Sequence, residues 1–200
     1  MASLCGLIAI VLALSQSWIE FVFALFRPRS ARRMAPYLYA RIVAAARAPV
    51  FYREFGVADT IEGRYEMIVL HVALLLRRLR DKSGADLNLA QAIVDFFASD
   101  LDRSMRELGV GDLGVGRFMK RLGEGLYGRA AAYDAALDNG DNEKLSEALL
   151  RNVYNGVNPP GIALVRLARY VQDQSQHLAL QSIDPIKAGN IDFMPPSVEP

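Results

Sequence analysis

The chain has 200 residues, 52% of them hydrophobic and 22% charged, which is long and apolar enough for one well-cored domain and excludes a disordered polymer. Its single cysteine, Cys5, excludes an internal disulfide framework and a cysteine zinc site. The formal net charge of +1 is unevenly spread: residues 27–80 carry a net of +7 and residues 81–200 a net of −5, so the front half suits anionic surfaces and the back half does not.

Residues 4–26 are almost wholly apolar, broken by Ser15, Gln16, Ser17 and Glu20, and about twenty such residues suffice for a helix to cross hydrocarbon. Arg27, Arg29, Arg32 and Arg33 follow at once, which would hold the downstream side in the cytoplasm. A cleavable signal peptide fits less well, because no base precedes the apolar run. Three readings stay open for residues 1–26: a signal-anchor helix, an interfacial amphipathic anchor, or upstream sequence from a misassigned start.

Beyond this segment the spacing of apolar residues predicts an all-α domain of six to seven helices over residues 36–181, with a proline-containing extended tail over 182–200. Pro36 is expected to open the first helix, through about Ala46. Pro49 starts a short turn stopped by Gly56. Asp59 or Thr60 then caps a helix to about Asp81, apolar on every face from Met67 to Leu76 except at His71, as befits a central core helix. Asn88 is expected to cap the next helix, ending at Gly109, and Asp112 to cap another after a glycine-rich link. That helix, about residues 115–137, contains Gly123, Gly125 and Gly128, each costing about 1 kcal/mol of helix propensity. They are expected to allow close approach of another helix or a ligand backbone. Asn139 and Gly140 form a helix–helix turn, and helices over about 142–154 and 160–181 complete the domain.

Nothing in the chain argues for an enzyme, and no cofactor or metal is expected. Gly109, Gly111 and Gly114 fit a dinucleotide fingerprint by spacing, but no strand precedes them. No Glu-x-x-His pair or G-x-S-x-G elbow occurs. His71 and His177 fall on different helices, and His71 reads as a core residue with a satisfied nitrogen. Asp59, Arg64, His71, Asp100, Asp102, Arg106, Asp112 and Arg129 are the candidate polar network. It either locks the helices together or lines a groove for another chain. Phe51, Tyr52, Phe55, Tyr127 and Tyr133 are the candidate lining of that groove, between the core helix and the glycine-rich helix, or else ordinary core.

The runs at 49–60, 63–71 and 75–79 resemble the opening of the ubiquinol–cytochrome c chaperone domain, and those at 100–112, 118–121 and 127–133 resemble its second half. The resemblance covers about residues 37–155. It implies an all-helical chaperone that binds newly made cytochrome b for assembly of the ubiquinol–cytochrome c reductase complex. Mitochondrial members of that family act with a small partner near the ribosome; a bacterial member could act alone. The domain is usually preceded by a segment like Leu25, Phe26 and Arg27, so residues 1–24 depart from the pattern and favour a misassigned start. Nineteen arginines to four lysines suit a GC-rich bacterial genome. The expected setting is the bacterial cytoplasm at the inner membrane, with Arg27, Arg29, Arg32 and Arg33 facing anionic lipid or the ribosome and no role on DNA. The alternatives are a helical haem- or quinone-handling protein and a membrane-associated scaffold unrelated to respiration.

Overall fold

In the computed structural model the described residues are 29–80, 84–107 and 112–197, with side chains described for all of these except 84–86 and 112–124. Among them every regular element is a helix: α1 (Arg29–Ala46), α2 (Pro49–Arg53), α3 (Ile61–Arg78), α4 (Gly84–Glu107), α5 (Asp112–Asn139), α6 (Asn142–Asn152), α7 (Ala163–Leu180) and α8 (Ile183–Lys187). The all-α class is therefore as the apolar spacing indicates. The apolar segment 1–26 lies outside the described residues. Among the described residues no helix is long and apolar enough to cross a membrane.

Local chemistry sets the helix ends. Thr60, not Asp59, caps α3: its hydroxyl accepts the Gly63 N–H at 3.1 Å, satisfying one of the free donors of the first turn. Asp59 instead pairs with Arg64 at 2.7 Å on the surface. Gly63 is needed there, because a Cβ would stand 2.0 Å from the carbonyl oxygen of Ala58. Asp141 caps α6 by accepting the Lys144 N–H at 3.0 Å, just after Gly140 turns the chain at φ +62°.

Several expected boundaries move. Pro36 lies inside α1, not at its start. The buried stripe of Ala31, Ala35, Leu38, Tyr39 and Ile42 extends on both sides of it, and that burial outweighs the one backbone hydrogen bond a proline forfeits. Helix α4 begins at Gly84, a turn before Asn88, and α5 runs through Gly114 and Gly116. The link between α4 and α5 is thus shorter than the glycines suggest, and residues 108–111 lie outside the described residues. Gly128 faces open space and Gly125 meets only the guanidinium of Arg129, so neither marks the close helix contact anticipated from the sequence.

Helix α3 is the axis of the fold. Residues 67–75 are buried without a break, and α1, α4, α5 and α7 pack around them. Helix α4 also lies along α1, where the Tyr39 ring meets Phe96 edge-on at 5.3 Å and its hydroxyl donates to Asp100 Oδ2 at 3.0 Å. Helix α6 joins α5 to α7. The segment after α7 is not simply extended. Pro185 fits the short helix α8, Gly189 turns at φ +87° against Met34 and Tyr37, and residues 190–197 carry no regular secondary structure. Ile186 and Ile191 are buried and Phe193 packs on the core, which is why this tail stays against the bundle.

Candidate functional site

The aromatic residues singled out from the sequence do not share one surface. Phe51 and Phe55 are fully buried, with Phe51 edge-on to Phe55, Tyr170 and His71 at 5.5, 5.0 and 5.8 Å between ring centres. Tyr133 is buried as well, and burial pushes its hydroxyl up to about 12; that oxygen accepts a hydrogen bond from Asn152 at 3.3 Å. These three are core and do not line an open groove: a one-turn helix such as α2 is held in place by burying its large side chains. Tyr52 is half-buried, with its hydroxyl donating to the Ala46 carbonyl at 3.0 Å, one of the free acceptors at the end of α1. Tyr127 is 54% exposed on α5.

His71 is satisfied at both ring nitrogens. The carbonyl of Met67 can only accept, so Nδ1 carries the hydrogen and donates to it at 2.7 Å. Nε2 is then the acceptor for the Tyr170 hydroxyl at 2.8 Å. Burial holds the imidazole down to about 4, so it is neutral at pH 7.

The candidate network resolves into separate pairs. Asp59 with Arg64 and Asp102 with Arg106 are local surface pairs, the second at 2.8 Å along one helix. Asp100 joins Tyr39 to Arg103. The side chain of Asp112 lies outside the described residues. Arg129 spans two helices by a charge pair: Nε donates to Glu66 Oε2 at 2.7 Å and an NH2 donor meets Oε1 at 2.6 Å, a bidentate link of α5 to α3. Burial pushes the Glu66 carboxyl above its usual range against the pull of Arg129. Burial also works against the Arg129 charge, but the Glu66 carboxylate outweighs it and holds the proton on.

Sequence reasoning missed Glu66. The signal available was its place at the head of α3, the last acid before an unbroken apolar run. It also missed a second α3–α5 clasp, in which Arg77 meets Asp134 and Asp138 at 3.1 and 2.7 Å and Arg80 meets the same two at 3.2 and 2.9 Å. Matched spacings of three and four residues on two helices were the readable sign.

The Glu66–Arg129 pair forms one wall of a groove of about 650 Å³. The α2–α3 loop and the start of α3 supply another wall, at Gly56, Ala58, Thr60 and Gly63. The end of α6 and the loop before α7 close it, from Arg151 through Tyr154 and Val157 to Pro160. Two ties hold these loops together. The Tyr154 hydroxyl donates to the Phe55 carbonyl at 2.8 Å. Gly56, at φ +66°, lets Pro159 and Pro160 pack where a Cβ would lie 3.3 and 3.2 Å from them. Val157 in the lining and Ile61 beside it in sequence to Thr60 and Glu62 are exposed apolar side chains. The groove thus offers paired charge and, at Val157, an exposed apolar side chain together. Among the described residues no cluster of three or more His, Cys, Asp or Glu is placed to hold a metal ion.

An all-helical bundle around one apolar helix, with its mixed polar and apolar groove between two loops, is the class of protein at hand. Residues 53–193 match the family model described as Ubiquinol-cytochrome C chaperone, and the chain belongs to that family. The match runs further towards the C-terminus than the resemblance over 37–155, and takes in α7, α8 and Phe193. The crystal structure of the Cbp3 homolog from Brucella abortus is similar with a TM-score of 0.75 and 41% identity, covering 88% of this chain and 97% of that one. Ubiquinol-cytochrome-c reductase complex assembly factor 1 of Xenopus laevis is 25% identical over 146 residues, 72% of each chain. The corresponding human protein is 24% identical over 146 residues, 72% of this chain and 48% of its own. The chain therefore spans about half the length of the human relative, and 49% of the mouse one.

Proposed function

We propose that this chain is an assembly chaperone for the ubiquinol–cytochrome c reductase complex, and that its client is newly made cytochrome b. The observation that carries the reading is the family match over residues 53–193, whose span includes every wall of the Glu66–Arg129 groove. The relatives named as assembly factors of that complex support it.

A chaperone for a membrane protein must cover apolar segments and then release them. The groove suits such a cycle, because Val157 gives apolar contact while the partly exposed Glu66–Arg129 pair gives polar contact that water can replace. Tyr127, 54% exposed, lies two residues before Arg129 on α5 and so on the other side of that helix, away from the groove. Asp59 and Arg64 flank the α3 end of the groove; Asp102 and Arg106 pair along α4, and Asp100 ties α4 to Tyr39 of α1. At the start of α1, Arg29, Arg32 and Arg33 are exposed and form the surface for anionic lipid or the ribosome.

Deleting the chain is expected to lower the amount of assembled ubiquinol–cytochrome c reductase, and pull-down of the tagged protein from growing cells is expected to recover cytochrome b. A normal reductase level together with an empty pull-down overturns the reading in favour of a scaffold unrelated to respiration. Reversing the charge of Arg29, Arg32 and Arg33 is expected to shift the protein from the membrane fraction to the soluble one, and unchanged fractionation contradicts the surface assigned to them.

A further inference from the structure

Where α1, α2 and α3 meet, the chain forms a second depression of about 460 Å³, lined by Arg47, Pro49, Tyr52, Arg53, Asp59 and Arg64. Backbone ties fix where these side chains start. Pro49 opens α2, Phe51 anchors that helix in the core, and the Tyr52 hydroxyl donates to the carbonyl of Ala46, the residue before Arg47. Arg47 and Arg53 therefore flank one fixed turn. Asp59 holds the third guanidinium by its Nε at 2.7 Å, which leaves the two terminal nitrogens of Arg64 clear of that bond. Among the described residues no other acid lines the depression, so three guanidiniums face one carboxylate, a net of +2. Burial pushes the Tyr52 hydroxyl above its ordinary range, and Arg64 and Arg47 both pull against that, with Asp59 opposing them. Both cations thus act on the same space.

Arg47 also ends a row along α1. Arg29, Arg33, Ala40, Ala44 and Arg47 follow one another at spacings of four, seven, four and three residues, so they share a face, and all five are exposed. The row is about 27 Å long. Residues 29–47 contain five arginines and no acid. Small alanines in the middle of the row leave nothing bulky between its basic ends, and Tyr37, 63% exposed on its flank, is the kind of ring that sits at headgroup level. A long face without an acid fits a plane of anions. The depression at its end fits one anionic group: a guanidinium fork pairs its N–H donors with two oxygens of a phosphate, and three forks surround it.

We propose that the depression of Arg47, Arg53 and Arg64 binds the headgroup phosphate of an anionic phospholipid, with the exposed face of α1 lying along the same bilayer. The inference rests on the reading of Arg29, Arg32 and Arg33 as a surface for anions, and narrows it to lipid. Asp59 is a positioning residue that aims Arg64. Ala58, Thr60 and Gly63, the sequence neighbours of Asp59 and Arg64, line the Glu66–Arg129 groove, so a chain seated on lipid in this way holds that groove beside the bilayer.

The test floats the full chain on phosphatidylcholine vesicles with and without phosphatidylglycerol; the neutral vesicles subtract any binding that lipid charge does not cause. The native chain is expected to bind more tightly when phosphatidylglycerol is present. The double variant Arg47→Gln/Arg53→Gln, at two exposed side chains, is expected to lose about thirtyfold of that gain, the factor for two basic residues at a charged bilayer, with unchanged thermal denaturation. Lys144→Gln/Arg169→Gln removes the same charge from exposed pairs on α6 and α7 and is expected to change binding by less than about threefold. Equal losses in the two double variants overturn the proposal. Arg47→Lys/Arg53→Lys keeps the charge without the fork and is expected to lose about fivefold. Native binding by that variant reduces the depression to a field of charge and also overturns the proposal. If Arg47→Gln/Arg53→Gln floats like the native chain while reversal of Arg29, Arg32 and Arg33 abolishes flotation, the depression fails and the surface reading stands. If the native chain gains nothing from phosphatidylglycerol, both fail. Binding of inorganic phosphate or RNA that Arg47→Gln/Arg53→Gln loses, with flotation unchanged, gives the depression to that ligand and overturns the lipid.

Discussion

At His71 the chain buries a base where it cannot afford a charge. The folded pKa of about 4 lies below the unfolded value of 6.5 because burial disfavours the imidazolium. As pH falls from 6.5 the unfolded chain takes up a proton that the folded chain refuses until about pH 4, so stability is full above 6.5 and is lost across that window, by about 3 kcal/mol in all. His71→Gln, which cannot titrate, is expected to flatten that loss. Urea unfolding at pH 7 and pH 5 compares the two, and parallel declines contradict the assignment. Charge pairs separate in the same way by burial. Glu66→Ala strands the Arg129 guanidinium in the groove wall and is expected to cost about 2–4 kcal/mol. Asp102→Ala breaks a pair of similar length on an exposed helix face and is expected to cost at most about 0.5 kcal/mol. Equal denaturation midpoints for these two variants would show that burial does not set the value of the pair.

Among the elements, the glycines give the sharpest contrast. Gly63→Ala drives a Cβ into the Ala58 carbonyl and is expected to cost about 2–3 kcal/mol, more than the roughly 1 kcal/mol for losing the Thr60 cap beside it. Gly128→Ala, in open space inside α5, is expected instead to stabilise by about 0.5–1 kcal/mol. Thermal denaturation of the two variants reads opposite signs, and a destabilised Gly128→Ala would mean that α5 has a neighbour there. These cases also show what was legible in the sequence. Helix identity was, since three- and four-residue spacing of apolar residues needs no tertiary information, and the run from Met67 to Leu76, apolar except at His71, marked the central helix. Helix ends were less so. Pro36 looks like a start when only its own propensity is weighed, and the buried stripe that carries α1 past it is a tertiary fact. The groove was half legible: Arg129 stood out as a motif residue, but Glu66 becomes its partner only when α5 lies against α3. Phe51 and Phe55 carry the same letters whether they line a surface or fill a core. The seating of residues 190–197 was illegible because two glutamines seven residues apart signal nothing until the main chain of Asp192 and Met194 lies across them.

For the molecule as a whole, one helix sheathed by four others gives a stable body, while the α2–α3 and α6–α7 loops leave an open surface that the body does not need for its own core. That division lets a chaperone engage and release a client without unfolding. It also makes the proposed client site testable, since Val157 in the groove and Leu180 at the far end of α7 are both exposed apolar side chains separated by much of an 18-residue helix, roughly 25 Å. The most direct measurement places a photoreactive amino acid at each of these two positions in growing cells and identifies the adducts by mass spectrometry. The proposed function predicts cytochrome b on position 157 and not on position 180. Adducts with cytochrome b at neither position, in cells whose reductase complex assembles normally without this chain, would contradict it.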